Sequence, residues 1–567
     1  MSTYATFLSL YDYSVNSRAA FWEFCWHDLN PLHSVVDETA RMDSIPEWFA
    51  GTYMNFAENI LFTSSGSSGV STAGKEDSKA AVTEVREGGA EGTRNITFGE
   101  LRRRVGKLSQ AMKAAGVKKG DRVAVVASNS IDTLVVFLAL TALGGLFSSS
   151  STDMGAKGIL DRLLQIKPQW LFMDDWTMNA IVRGMEGVEE FQGIVSQPRF
   201  QDRPADVNMV PRAQTLATFL AKAKGDKLEF PKRTTGTPKC IVHSVGGIVL
   251  SGLKEGWIMY LSALQPLMHG CRIVLYDGSP FLPGVTSFIK LAGEQKVTRL
   301  GTSPRYMYEL QRNGIHPREV TDLSNLEVLT STGMVLSDAL FEWFYDKGFP
   351  PNVQLQIFLA GPSLGTPIAV YDQTVEGGKG VKGIPLKEGV PGELVATAAF
   401  PNMPVMFWGE NGAARYFDAY FARFDDVWTH GDFVMIHPAT KQIFFLGRAD
   451  GVLNPSGVRF GSSEVYSILE NEFANEISDS ICVGQRRPRD SDETVISGLS
   501  PRHVPKYVFE TPEIPTTVNL KKVELPVKQI VSGKVIKPSG TLANPESLEF
   551  YYQFAEVEKL VAPSSKL

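Results

Sequence analysis

Residues 428 to 464 combine acidic, basic and turn-forming residue types at spacings that suit a nucleotide. This segment contains three runs and a final Glu464; the runs are Trp428-Thr-His-Gly-Asp432, Gly447-Arg448-Ala-Asp450 and Asn454-Pro-Ser-Gly457-Val-Arg459. A carboxylate such as Asp432 can accept hydrogen bonds from the paired hydroxyls of a ribose. The planar guanidinium fork of Arg448 or Arg459 matches phosphate oxygens. The structural alternative is that the Asp caps a turn and that the arginines form surface ion pairs.

A second candidate site has the composition of a phosphate-binding loop. It consists of Thr234, Thr235, Gly236, Thr237, Pro238 and Lys239. Hydroxyl groups and glycine amides in such a loop can surround triphosphate oxygens, and Lys239 adds a positive charge. Taken alone, the pattern favours a surface turn with a lysine-rich flank.

Together the two segments resemble the adenylate-forming enzyme superfamily, whose members activate carboxylic acids with ATP. Within that superfamily the sequence is most similar to the acetoacetyl-CoA synthetases. The resemblance runs from Phe21 to Ala555, with gaps. Further segments that carry it are Trp48-Phe49-Ala-Gly51, Ile241-Val-His-Ser244, Gly256-Trp257-Ile-Met259 and Pro515-Thr-Thr-Val-Asn-Leu-Lys521. An AMP-forming acyl-CoA ligase is therefore expected.

The resemblance implies a reaction in two halves. A carboxylate attacks the α-phosphorus of ATP, and pyrophosphate leaves with Mg2+. The thiol of CoA then attacks the acyl-adenylate and AMP is released. ATP, CoA and Mg2+ are the implied cofactors, and a short carboxylic acid or 3-oxo acid is the implied substrate. Positioning and charge stabilisation carry such chemistry, so no buried nucleophile is required.

The resemblance also implies roles for individual residues. Lys521 would neutralise the charge that develops on the α-phosphate, and Asp450 would lie at the hinge before a mobile C-terminal domain. ATP or AMP would be held by Thr234, Thr235, Gly236, Thr237, Lys239, Asp432, Arg448 and Arg459. The acyl pocket would include Trp257, Tyr260 and Gly333, where Tyr260 replaces the tryptophan usual in the family. Helix packing is the alternative for the two aromatic residues.

The chain departs from the family pattern in several places. Phe230-Pro231-Lys232-Arg233 stands where the family has a strand and Ser-Ser-Gly, and Pro231 has no amide donor. A Gly-Gly-Thr-Asp segment is missing after Leu359, a further strand and helix are missing after Val495, and Leu520 replaces glycine. Three interpretations remain: an active ligase, an impaired homologue that binds nucleotide without turnover, and an incorrectly assembled coding sequence.

A different enzyme class offers a remote alternative. Gly361-Pro-Ser363-Leu-Gly365 has the G-x-S-x-G spacing of a serine hydrolase, and the apolar run from 354 to 359 could be the preceding strand. Pro362 fits poorly in the strained turn that a nucleophile requires, and Thr366-Pro367 begins no convincing helix. Loss of activity on Ser363→Ala, with Lys521→Ala harmless, would favour the hydrolase.

Helical and strand patterns alternate along the chain from residue 97. Predicted helices include 98–115, 131–143, 159–166, 304–312 and 338–345, and predicted strands include 122–127, 170–173, 273–276, 298–301, 327–330 and 354–359. Such alternation predicts an α/β fold with mostly parallel sheets covered by helices. Ligands of such sheets bind at the carboxyl ends of the strands.

The pattern divides into three parts. Residues 1–62 form an aromatic-rich N-terminal extension that is expected to pack on the larger domain. Residues 63–449 form the large AMP-binding adenylation domain, in which the Ser- and Gly-rich stretch 63–79 is expected to be a flexible loop. The resemblance implies that residues 450–567 form a small, mobile α+β domain with a targeting tail.

Composition excludes several other classes. The chain has 567 residues, a net charge of −6 and no basic stripe, which argues against nucleic-acid binding. Its four cysteines, Cys25, Cys240, Cys271 and Cys482, are too scattered to indicate a disulfide framework or a zinc site. The longest uncharged apolar stretch, 134–147, is too short for a comfortable membrane span.

The sequence ends in Ser565-Lys566-Leu567. A free Ser-Lys-Leu terminus is an address that the peroxisomal import receptor reads. The alternative is a chance match. Import into peroxisomes from the cytosol is therefore expected, with a place in lipid, fatty acid or secondary metabolism.

Overall fold

The computed structural model describes residues 2–560 with gaps. The residues that it does not describe are 1, 28–35, 50–54, 66–68, 88, 151, 153–154, 175–180, 182–183, 186, 198–206, 209, 231–240, 243–262, 333–335, 358–363, 402, 450–452, 454–461, 463–464, 467, 470–472, 474–475, 478, 486–506, 518–521, 539–541 and 561–567.

Helices occur along the whole described chain. The α-helices are α1 (Ser2–Asn16), α2 (Arg18–His27), α3 (Phe56–Leu61), α4 (Phe98–Ala114), α5 (Ile131–Ala142), α6 (Gly155–Ile166), α7 (Leu216–Leu220), α8 (Ser287–Glu294), α9 (Pro304–Arg312), α10 (Pro317–Val320), α11 (Asp338–Trp343), α12 (Gly412–Tyr420) and α13 (Glu524–Val531). Within the described residues, 3-10 helices cover Met42–Ser44, Gln265–His269 and Pro545–Lys559, and a π-helical turn covers Phe344–Gly348.

Strands alternate with these helices. They are β1 (Thr63–Ser65), β2 (Gly69–Ser71), β3 (Ala80–Arg86), β4 (Gly89–Thr97), β5 (Arg122–Val126), β6 (Leu146–Ser150), β7 (Trp170–Asp174), β8 (Gly193–Gln197), β9 (Ala213–Thr215), β10 (Ile241–Val242), β11 (Ile273–Asp277), β12 (Arg299–Thr302), β13 (Val328–Ser331), β14 (Gln354–Ile357), β15 (Ile368–Tyr371), β16 (Gly392–Ala396), β17 (Met406–Phe407), β18 (Trp428–Ile436) and β19 (Ile443–Arg448).

Parallel sheets dominate the first two thirds of the chain. A five-stranded sheet has the order β6-β5-β7-β8-β9, and a three-stranded sheet has the order β12-β13-β14; both are parallel throughout. In a third sheet, of order β11-β3-β4, the strands β11 and β3 are parallel. The predicted α/β class is thereby confirmed. The sheet β15-β16-β18-β19 differs, because all its neighbouring strands are antiparallel.

Local sequence explains where several helices begin. The side chain of Thr97 accepts a hydrogen bond from the amide of Glu100 at the start of α4, and Ser130 does the same for α5. Ser303 caps α9, and Pro304 occupies the first turn, where its missing amide hydrogen is not needed. These caps fix the points at which the chain leaves the ends of the strands.

Several aromatic residues of the N-terminal extension pack into the main core, as expected. Trp22 and Phe49 are almost completely buried in the cluster that also contains helix α5. The rings of Trp22 and Trp48 meet edge to face at 6.4 Å between centroids. Arg18 also donates a hydrogen bond to the carbonyl of Ala399 at 2.8 Å. Residues distant in sequence thus hold this segment in place.

A separate cluster of apolar side chains forms near the C-terminus. Helix α13 packs its buried residues Val527 and Ile530 against Leu548 and Tyr551 of the last 3-10 helix. The proposed boundary at Asp450 lies outside the described residues, so the three-part division stays a prediction. Among the helices that the structure describes, none combines the length and apolar character needed to cross a bilayer.

Lys75 is a buried lysine in the stretch that was expected to be a flexible loop. Its side chain is 1% exposed, and Nζ donates to the carbonyls of Asn59 and Phe62, both at 2.7 Å. Arg102 donates to the carbonyls of Leu61 and Lys75 itself. The expectation for residues 63–79 is therefore wrong for this part, because the lysine and the arginine supply donors to the C-terminal end of α3.

Replacing Lys75 with methionine should destabilise the end of helix α3. The two partly buried carbonyls would lose the donor that Lys75 supplies, at a cost of about 1–3 kcal/mol. We expect a lower melting temperature and faster amide hydrogen exchange in Phe56–Leu61. Lys79→Met is the matched control, because exposed Lys79 donates to the single carbonyl of Gly74.

The effect should also depend on pH. Burial, with a smaller contribution from the charge of Arg102, lowers the pKa of Lys75 from its ordinary value to about 8. Between that value and the ordinary pKa of lysine, the unfolded chain binds more protons than the folded chain, so stability rises with pH. The difference in stability between wild type and Lys75→Met should therefore widen from neutral to alkaline pH. If the stabilities of wild type and Lys75→Met instead changed in parallel with pH, Lys75 would titrate like an exposed lysine.

Candidate nucleotide site

Two neighbouring antiparallel strands bring Asp432 and Arg448 together. Strand β18 pairs with β19 in a register that places Asp432 opposite Arg448, and the register shifts by a bulge between Phe433 and Val434. Aromatic and β-branched residues on β18 favour an extended backbone. The sequence spacing predicted this proximity, and the hairpin provides it.

Both oxygens of the Asp432 carboxylate have partners. Nη1 of Arg448 donates to Oδ1 at 3.0 Å, and Nε2 of His430 lies 3.1 Å from Oδ2. Asp432 is only 5% exposed, so these contacts compensate for the removal of a charge from water. The carboxylate is consequently held in one orientation.

His430 is a site residue to which the sequence analysis gave no role. Residues two apart on a strand point to the same face, and this period relates His430 to Asp432. The indole Nε1 of Trp428 lies 3.5 Å from Nδ1 of His430. An indole nitrogen can only donate, so Nδ1 of His430 is the acceptor in this contact and Nε2 is left to donate to the carboxylate. Strand periodicity could have revealed this residue.

Gly431 allows the arginine to approach the strand. Its φ is +81°, a conformation that favours glycine, and an added Cβ would lie 2.9 Å from Nη2 of Arg448. The side chain of Arg448 is 56% exposed, whereas that of Asp432 is buried. The guanidinium therefore joins a buried carboxylate to a surface that a charged ligand can reach.

An aromatic cluster supports the start of β18. The rings of Trp428 and Tyr420, the last residue of α12, stack at 4.0 Å between centroids. Tyr416 and Phe421 contact the same indole edge to face. Burial raises the pKa of Tyr420, although the positive charge of Arg448 opposes the shift. The cluster fixes Trp428, and through it the ring of His430.

The second group of candidate residues follows the parallel sheet of β12, β13 and β14. The described parts of these strands end at Thr302, Ser331 and Ile357, and the amide of Thr332 donates to the carbonyl of Thr302 at 3.1 Å. Carboxyl ends of parallel strands are where ligands bind in such sheets. The candidate acyl-pocket residue Gly333 comes directly after this edge in sequence but lies outside the described residues.

Most of the other predicted site residues also lie outside the described residues. They are Thr234, Thr235, Gly236, Thr237, Lys239, Trp257, Tyr260, Ser363, Asp450, Arg459, Lys521 and the tail Ser565, Lys566 and Leu567. Their roles stay predictions.

Comparison with known proteins decides the family. The chain is 34% identical to the acetoacetyl-CoA synthetase of Gallus gallus over 98% of its own length and 94% of that protein. The chain belongs to the acetoacetyl-CoA synthetase family. It is also 33% identical to the malonamoyl-CoA synthetase of Penicillium aethiopicum, over 97% of this chain and 88% of that one. The family model for AMP-binding enzymes matches residues 71–230.

A solved structure agrees with this assignment. The acetoacetyl-CoA synthetase from Streptomyces lividans has a TM-score of 0.80 and 26% sequence identity, covering 97% of this chain and 94% of that chain. The predicted ligase class is confirmed: the protein is an AMP-forming acid–CoA ligase that works through an acyl-adenylate, with ATP and CoA as substrates. The comparisons do not favour the serine hydrolase alternative.

The alignment also supports the predicted shortenings. The match to the Gallus gallus synthetase is 643 positions long, whereas this chain has 567 residues, so at least 76 positions lie opposite gaps in this chain. The similarity nevertheless extends over almost the whole chain. The positions that this chain lacks are therefore internal to the relative and do not form one end of it.

Replacing His430 with phenylalanine should raise the KM for ATP about tenfold while changing kcat less, because Asp432 loses one of the two contacts that orient it. Steady-state kinetics at varied ATP would measure both parameters. His430→Gln is the matched control, since its amide can still donate to the carboxylate and should remain closer to wild type. Equal effects of both substitutions would contradict a positioning role for the imidazole.

Proposed function

We propose that the protein activates a short 3-oxo acid, acetoacetate being the first candidate, and transfers it to CoA. The observation that carries this proposal is the 34% identity with an acetoacetyl-CoA synthetase over 98% of the chain. The hairpin site supports it, because a buried carboxylate with a fixed orientation beside an accessible guanidinium suits a ribose and its phosphate.

In this proposal Asp432 accepts hydrogen bonds from the ribose hydroxyls and Arg448 lies beside the sugar. Thr234, Thr235, Gly236, Thr237 and Lys239 surround the phosphates, Arg459 contacts a phosphate, and Lys521 serves the adenylation step. Asp450 serves as the hinge between the two half-reactions. These groups bind, orient and neutralise charge, which is the main protein contribution to phosphoryl chemistry.

Mg2+ would enter with the nucleotide. Among the residues that the structure describes, no three or more His, Cys, Asp or Glu side chains cluster in a way that could hold a metal ion. Mg2+ commonly binds through substrate phosphates with one or two carboxylates, so a dedicated protein cage is not needed. When bound, it would neutralise charge on the triphosphate.

The names of two relatives limit the choice of candidate acids, because the acids in those names share a chemical feature. Acetoacetate and malonamate each carry a carbonyl at carbon 3, followed by a methyl group in one and an amino group in the other. The malonamoyl-CoA synthetase relative therefore makes malonamate a second candidate. Tyr260, in the place of the family tryptophan, would alter the pocket that receives this end of the acid.

Acid-dependent ATP–pyrophosphate exchange on purified protein tests the proposal. The panel contains acetoacetate, malonamate, acetate and butyrate; butyrate matches acetoacetate in length but lacks the carbonyl at carbon 3. We expect exchange with the 3-oxo acids and much weaker exchange with butyrate. A folded protein that binds ATP but catalyses no exchange would favour the impaired homologue, whereas protein without a stable fold would favour an incomplete chain.

We further propose that the protein acts in peroxisomes, in lipid or secondary metabolism. Ser565-Lys566-Leu567, as a free C-terminus, would bind the import receptor. An N-terminal fluorescent fusion should colocalise with a peroxisomal marker, and deletion of these three residues should leave it in the cytosol. A variant with one alanine appended after Leu567 is the matched control and should also stay cytosolic. Import that survives both changes would contradict this address.

A further inference from the structure

The carboxylate of Asp479 lies between two cationic side chains. Its Oδ1 is 2.7 Å from Nζ of Lys522, and its Oδ2 is 3.5 Å from Nη1 of Arg305. The amide of Ser480 also donates to Oδ1, at 2.8 Å. One carboxylate thus connects segments that are far apart in sequence.

The two cations come from different parts of the molecule. Arg305 is the second residue of α9, which begins just after β12 ends, at the carboxyl edge of the parallel sheet. Asp479 and Lys522 belong to the segment that follows the proposed hinge. Because ligands of a parallel sheet bind at its carboxyl edge, this contact places the C-terminal segment beside a ligand-binding edge.

The ion pair between Lys522 and Asp479 is held firmly in place by its surroundings. The side chain of Lys522 is 9% exposed, and Nζ lies 4.2 Å from the centroid of the Tyr466 ring. The hydroxyl of Tyr466 donates to Oε1 of Glu524 at 2.7 Å and accepts from the amide of Cys482 at 2.9 Å. A buried ammonium between a ring and a carboxylate has little freedom, and separating it from its partner is costly.

The ion pair between Arg305 and Asp479 is the weaker of the two contacts and the one that can open. This contact is longer, and both side chains are partly exposed. Nη2 of Arg305 also pairs with Oε1 of Glu309, one turn along α9, at 2.7 Å. If Arg305 and Asp479 separate, the guanidinium keeps Glu309 and the carboxylate keeps Lys522, so neither charge is left without a partner.

We propose that Arg305, Asp479 and Lys522 form a latch that holds the C-terminal segment on the ligand-binding edge for adenylation and opens at Arg305 for the CoA step. Asp479 is a positioning residue in this latch, because it holds Lys522, which follows the proposed adenylation lysine Lys521 in the sequence. The inference rests on the proposed function, because it assigns the latch to one of the two half-reactions.

Measuring the two half-reactions separately tests the latch. Arg305→Gln should lower acid-dependent pyrophosphate exchange about tenfold, within the usual range of coupling between states, and leave CoA thioester formation from supplied acyl-adenylate unchanged. Asp479→Asn should show the same split. Arg305→Lys retains the charge and should fall between wild type and Arg305→Gln. Arg312→Gln, at an exposed position on the same helix, should match wild type in both assays.

A merely structural role would give a different pattern. If Arg305→Gln lowers both half-reactions equally together with the melting temperature, or changes neither, the latch is excluded. Small-angle scattering keeps the test independent of the proposed function: Arg305→Gln should broaden the distance distribution of the full chain. If Arg305→Gln broadens the distribution but the wild-type protein shows no exchange, the proposed function is rejected and the contact is retained. If wild type and Arg305→Gln show the same normal exchange, the proposed function is retained and the latch is rejected.

Discussion

Replacing Asp432 with asparagine should reduce acid-dependent pyrophosphate exchange about 100-fold or more, because more than one hydrogen bond to a charged group is lost. The aspartate receives Arg448 on one oxygen and His430 on the other. An asparagine has one acceptor oxygen, so its amide group must face a donor on one side, whichever way it turns. The substitution would also remove the negative charge proposed to bind the ribose. Initial exchange rates at varied ATP would measure the loss.

Asp418→Asn is the control for this substitution. Asp418 is exposed on α12, the helix whose last residue stacks on Trp428, so its replacement removes a nearby charge without touching the hairpin site. It should leave exchange unchanged. Retention of nearly full exchange by Asp432→Asn in a protein of unchanged melting temperature would assign the ribose contact to another residue.

Local patterns in the sequence predicted the elements that depend on neighbouring residues. The helix predicted over 98–115 is observed over Phe98–Ala114, and the strand predicted over 122–127 is observed over Arg122–Val126. The helix is buried along one face and begins at a threonine cap, whereas the strand is buried over almost its whole length. Signals of this kind act within a few residues, so a single sequence is enough to find them.

Pairings between distant segments could not be predicted in this way. Strand β11 lies beside β3, which is almost 200 residues earlier in the chain. The antiparallel sheet that carries Asp432 was also not anticipated, because alternation of helices and strands indicates only parallel neighbours. Lys75 shows the same limit: its burial depends on carbonyls of α3 and on Arg102, not on its Ser- and Gly-rich neighbours.

The candidate site was predictable to a similar degree. Spacing and chemistry predicted that Asp432 and Arg448 would lie together, and they do. The bulge that sets their register and the use of the second carboxylate oxygen by His430 depend on the folded hairpin. The phosphate loop, the acyl pocket and Lys521 lie outside the described residues, and their roles stay predictions.

Replacing Lys521 with alanine should lower adenylation by about 100-fold to 1,000-fold, the usual effect of removing a group that stabilises charge in a transition state. The neighbouring lysine cannot substitute for it. The ammonium group of Lys522 is engaged by Asp479 and by the ring of Tyr466, and its side chain is almost buried. Thioester formation from supplied acyl-adenylate should be unaffected, because the α-phosphate chemistry is then already complete.

Lys522→Met provides the contrast, since it removes the neighbouring charge and leaves Lys521 in place. It should lower the melting temperature, because Asp479 and Tyr466 lose a buried partner, and should lower adenylation far less than Lys521→Ala. The reverse ranking, with Lys522→Met the more severe in adenylation, would show that the catalytic lysine is Lys522. It would also show that the ion pair with Asp479 opens during the reaction, since the same ammonium cannot hold the latch and neutralise the phosphate at once.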